Sequence, residues 1–122
     1  MAGDIRKNRV SQAIHRFLGS LMISEYGGTD ISMITIQRVK VTQDLRQAQI
    51  FYTFFGNKAV SVIQSQLENE QKQIRHKLAR HLKHIKFAPE IKFIYDKTAE
   101  EIMRVQRILD EHRSEQDKNE NE

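Results

Sequence analysis

Arg75, Lys77, Arg80, Lys83 and Lys86 fall in a run, Gln71 to Phe87, that contains no Asp or Glu. On a helix an acid four residues away would neutralise such cations, and within the run there is none. Fixed ammonium and guanidinium groups without local counter-charges suit phosphate oxygens, which supply most of the sequence-independent affinity for nucleic acid. Arg6, Lys7 and Arg9 form a second, acid-poor cluster near the start. The plain alternative is that both clusters only keep helix faces wet, the commoner role of a charge run.

Three histidines, His76, His81 and His84, share the first run. No carboxylate joins them within the run, so no metal site is expected. His81 borders an apolar stripe and reads as a packing residue. The chain has no glycine-rich phosphate loop, no nucleophile elbow and no paired-carboxylate motif. No catalytic residue, cofactor or small-molecule substrate is therefore expected. Asp44 reads as a turn-shaping residue and Asp96 as the end of a strand.

The elements that must position the two clusters follow from periodicity. Val10, Ile14, Phe17, Leu18 and Leu21 recur at helical spacing from Asp4 to Glu25, and Gly27-Gly28 stops the helix. Ser32 to Asp44 is rich in β-branched residues. Its apolar phase shifts, Ile34 and Ile36 pointing one way and Val39 and Val41 the other, as a bulge or two-sided burial would cause. Leu45 to Gly56 holds a second strand with Ala48, Ile50, Tyr52 and Phe54 on one face, and the pair reads as an antiparallel hairpin. Asn57 is a plausible cap for the next helix. That helix carries Val60, Ile63 and Leu67, then Ile74, Leu78, Leu82 and Ile85, the last four within an arc of roughly 80°. Between them, Glu70, Gln71 and Lys72 interrupt the stripe, which predicts a change of helix direction. Pro89 ends the basic helix, and Ile91, Phe93 and Tyr95 alternate as a third strand. Thr98 and Glu101 read as a capping box opening a last helix with Ile102, Val105 and Leu109 on its stripe. Three strands need one covered face, so the order predicts an α+β two-layer sandwich.

The 122 residues, 39% hydrophobic and 7% aromatic, suit one domain with a thin core. No cysteine is present, and no apolar run is long enough to cross a membrane. With no signal-peptide core at the N-terminus, a cytoplasmic protein is expected. The net charge of +4 is unevenly spread: Asp110 to Glu122 sums to −4 and leaves +8 on the preceding residues. A basic body with an acidic, apolar-free tail suggests a polyanionic partner. The expected division is a folded domain over residues 1–112 and a disordered acidic tail over 113–122.

"ITIQRVKVTQDLRQAQIFYTFFG" (Ile34–Gly56) and "IRHKLARHLKHIKFAPEIKFIYD" (Ile74–Asp96) resemble the bacterial ribosome-binding factor A family. Val39, Val41, Thr42, Asp44, Leu45 and Ala48 match its strand-turn-strand block. Ile74, Arg75, Leu78, Ala79, Pro89, Glu90, Ile91, Phe93 and Asp96 match its later block. "RKNRVSQAIHRFLGSLM" is similar to its first helix. The resemblance implies a single KH-like domain of αββααβ order with a C-terminal helix. It implies a monomer that binds the immature small (30S) ribosomal subunit and its rRNA, assists late 16S rRNA maturation without catalysis, and matters for growth in the cold. On this reading the basic faces of Arg6, Lys7, Arg9, Arg75, Lys77, Arg80, Lys83 and Lys86 meet rRNA. Where the family has an Ala-x-Gly kink, this chain has Glu70, Gln71 and Lys72. A general RNA-binding or protein-interaction module with a basic helical face is the alternative. An RRM fits less well, because the chain opens with a helix and "QAQIFYTFFG" lacks that motif's glycines.

Overall fold

A computed structural model describes residues 2–82 and 87–120. The elements are α1 (Ala2–Ser24), a 3₁₀ turn (Asp30–Met33), β1 (Ile34–Val41), β2 (Gln47–Phe54), α2 (Val60–His81), β3 (Glu90–Tyr95) and α3 (Thr98–Glu120). The sheet order is β1-β2-β3, with β1 antiparallel and β3 parallel to β2. α1 packs on β1 and α2 on β3, which gives the expected α+β two-layer sandwich.

The core forms where the periodic stripes meet. Ile14 and Leu18 of α1, Ile50 and Tyr52 of β2, Ile63, Leu67, Ile74 and Leu78 of α2 and Ile91 of β3 are wholly buried. Leu82 packs at the rim of this cluster. α1 ends ahead of Tyr26–Gly28, where Gly28 takes φ +86°, a conformation that costs glycine little. The phase shift in β1 is a bulge between Ile36 and Arg38. The hairpin turn is held by side chains: the Thr42 hydroxyl donates to Asp44 Oδ1 at 2.7 Å, and the Arg46 amide donates to the same oxygen at 3.1 Å. These bonds, the Thr42 hydroxyl first, hold the Asp44 carboxyl below the usual carboxylate range. Leu45 within the turn takes φ +61°.

Some expectations need correction. First, α2 is one unbroken helix, so the two helices expected either side of Glu70, Gln71 and Lys72 are one. None of the three is a helix breaker, and the stripe is completed by polar contacts. Glu70 is half-buried and accepts a hydrogen bond from the Tyr26 hydroxyl at 3.0 Å. Burial first, then this bond, pushes the Tyr26 phenol up to about 12. Second, the N-cap of α2 is Ala59, not Asn57, with no side-chain bond to the helix end. Third, α3 starts at Thr98, and Asp96 rather than Thr98 supplies the capping oxygen, accepting from the Thr98 amide at 2.9 Å. Fourth, Ile102, Val105 and Leu109 do not reach the core: each is more than half exposed, at 52%, 55% and 59%. An amphipathic pattern fixes a face but not what covers it. The α3 backbone is helical to Glu120, beyond residue 113, where a structureless tail was expected to begin.

The free edge of β3 is met by α2. The Tyr52 hydroxyl donates to Gln64 Oε1, and Gln64 Nε2 donates to the Phe93 carbonyl at 2.8 Å.

Candidate nucleic-acid interface

Arg6 leaves the exposed side of α1, four residues ahead of buried Val10. Arg75 follows buried Ile74 on α2 and is exposed. Both line one hollow of about 540 Å³, with Arg46 from the hairpin turn as a third guanidinium. Asp44 and Glu90 also line it, so its described charged groups are three cations and two carboxylates. Asp44 is committed to the turn bonds above. Arg75 Nη2 donates to the Ala88 carbonyl at 3.2 Å, tying the last third of α2 to the segment around buried Pro89. α2 ends at His81, so the proline does not stop it as expected; Pro89 sits just before the third strand, where an arginine of the basic helix finds its anchor.

The other expected contact residues are placed unevenly. Arg9 and Arg80 are exposed and Lys7 is half-buried. Lys83, Lys86 and His84 lie outside the described residues. Lys77 is paired: its ammonium bonds Glu25 Oε2, and it lies 5.8 Å from the Tyr26 ring centre. It staples α2 to the segment just after α1, so the acid missing from its own helix arrives from 52 residues away. His81, expected to be a partly buried packing residue, stacks on Phe17 at 4.8 Å between ring centres but is exposed. Arg46 escaped the sequence reading because it stands alone in a turn. The only available signal was its place close to Asp44 in the matched block.

A three-stranded sheet backed by helices, with guanidinium groups from α1, α2 and the hairpin turn around one hollow, defines a basic-faced α+β module. The family model for ribosome-binding factor A matches residues 6–109. The ribosome-binding factor A of Geobacter sulfurreducens is 36% identical over 107 residues, 87% of this chain and 90% of that one. That of Nitrosospira multiformis is 35% identical over 107 residues, 87% and 84% of the two chains. Among solved structures, the crystal structure of ribosome-binding factor A from Thermus thermophilus aligns with a TM-score of 0.62. Its sequence identity is 16%, over 73% of this chain and 94% of that one. A Thermus thermophilus homology model fitted into the cryo-EM map of a complex with the 30S subunit aligns with a TM-score of 0.52. Its identity is 13%, over 75% and 91% of the two chains. The chain belongs to the ribosome-binding factor A family.

Proposed function

We propose that the protein binds the immature small ribosomal subunit through its rRNA and assists late 16S rRNA processing and assembly as a cytoplasmic, non-catalytic factor. A single observation carries the choice of contact surface: Arg6 and Arg75, far apart in sequence, line one hollow with Arg46. A polyanion laid across it would touch two helices and a turn at once. Exposed Arg9 and Arg80 extend the same chemistry along α1 and α2. The complex of a structural relative with the 30S subunit supports the choice of partner. Lys77 contributes least, because its charge is already matched by Glu25.

The test is co-sedimentation with free small subunits over a salt series. Arg6→Ala with Arg80→Ala should leave folding intact, since both side chains are exposed. If each makes one phosphate contact, the slope of log affinity against log salt should fall by roughly 1.8 for two lost contacts on a duplex. Binding and slope at wild-type values would remove these helix faces from the interface.

A further inference from the structure

Among the described residues, the helices cover one face of the sheet. α1 and α2 bury their stripes against the side carrying Ala48, Ile50 and Tyr52, and the described side chains of α3 from Glu100 to His112 are exposed. The opposite side carries two ordered rows. Arg38, Phe51 and Ile94 stand abreast on β1, β2 and β3, and Lys40, Gln49 and Lys92 form the next row. The bulge puts the β1 cations there. With unbroken alternation Arg38 would follow Ile34 and Ile36 into the core; the extra residue, Gln37, instead turns Val39 and Val41 inward and Arg38 and Lys40 outward.

The chemistry of these rows is specific. The Arg38 guanidinium lies 4.2 Å over the Phe51 ring, a cation–π contact. Phe51, Ile94 and Gln49 are half-buried, while Arg38, Lys40 and Lys92 are exposed. No described residue forms an ion pair with any of the three cations. Acids border the face as well: Asp96, which feels the Arg38 charge, Glu90, opposite Gln47 at the far end, and Glu68 of α2, which lines a hollow with Gln49 and Lys92.

We propose that this open face binds a single-stranded RNA segment, its base stacked on the Arg38–Phe51 pair and its phosphates on Lys40 and Lys92. Strands lie ~4.8 Å apart, so the two lysines flank the middle strand about 10 Å from each other. A chain crossing the strands between them would lay a base over β2, where Phe51 offers a π-face and Gln49 an amide with both donor and acceptor. A duplex keeps its base faces stacked away and cannot use Phe51, whereas every unpaired base can. The inference goes beyond the helical contacts by adding a base-stacking surface. It rests on the proposed function only in taking RNA as the partner.

Fluorescence anisotropy on the full chain tests it, with a labelled A-rich strand of about ten nucleotides and a duplex RNA as probes. Phe51→Ala should weaken single-strand binding by about 5- to 100-fold and duplex binding by less than about twofold. Phe51→Leu retains apolar bulk should the alanine variant fail to fold, and it should show the same selective loss because leucine has no π-face. Lys40→Gln with Lys92→Gln should lower the single-strand salt slope by about 1.4. A folded Phe51→Leu protein with wild-type single-strand affinity, or with equal losses on both probes, overturns the proposal. So does a fall in subunit binding without a fall in RNA affinity, which would give the face to a protein partner. Loss of single-strand binding in Phe51→Leu together with wild-type subunit binding in the Arg6→Ala, Arg80→Ala protein would sink the helical contacts and leave this face standing.

Discussion

Tyr26→Phe isolates the bond that completes the α2 stripe. The Tyr26 side chain is buried, and its hydroxyl donates to the Glu70 carboxylate at 3.0 Å. Hydrogen bonds to charged groups contribute about 1.5–3 kcal/mol. Glu70 is only half-buried and regains water when the bond is lost, so a loss of about 1–2 kcal/mol near neutral pH is expected. The pH dependence follows the hydroxyl, whose burial first and bond to Glu70 second oppose ionisation, and not the ring packing, which phenylalanine preserves. The folded-state phenol is raised from 10.0 to about 12, so the unfolded chain releases its proton first. The stabilisation is whole below pH 10 and is lost as the pH rises through 12. Two units correspond to about 2.7 kcal/mol at most. Urea titrations of both proteins at several pH values should show the wild-type advantage closing between pH 10 and 12. An advantage that stays constant over that range would refute the reasoning, and so would its absence near neutral pH.

Leu78→Ala, at a wholly buried site on α2, should cost about 2–5 kcal/mol in a denaturant titration. Thr42→Val removes the hydroxyl that heads the Asp44 turn; the Asp44 carboxyl, followed by NMR, should titrate higher than in wild type. Because that carboxyl is depressed in the folded chain, its stabilisation is present above the ordinary carboxylate range and fades as pH falls through the folded value. Deleting residues 114–122, which contain no apolar side chain, should leave one cooperative melting transition and slightly strengthen non-specific RNA binding.

What the sequence made legible was whatever depends on local spacing. α1, the hairpin and β3 follow from periods of 3.6 and 2, and the shifted phase of β1, open to a bulge or two-sided burial, is a bulge. What it hid depends on partners far along the chain. The polar gap in the stripe at Glu70 had no visible partner because Tyr26, which supplies the contact, lies 44 residues earlier. Lys77 looked unpaired because Glu25 lies in another part of the chain. Arg46 had no run to advertise it. α3 shows the converse failure, a legible stripe with no described element over Ile102, Val105 or Leu109.

The bond from Gln64 to Phe93 has a meaning outside the single molecule. In the parallel pairing, Glu90 and Asp96 direct their amides to the β2 side, which turns the backbone groups of Ile91, Phe93 and Tyr95 outward. A row of this kind is a template on which a neighbouring chain can lay a strand. Gln64 occupies the middle acceptor of the row and is itself fixed by the Tyr52 hydroxyl. An incoming strand would have to displace a side chain anchored on a wholly buried tyrosine before it could form its central bond. A helix side chain thus guards this edge of the sheet against recruitment into a growing aggregate.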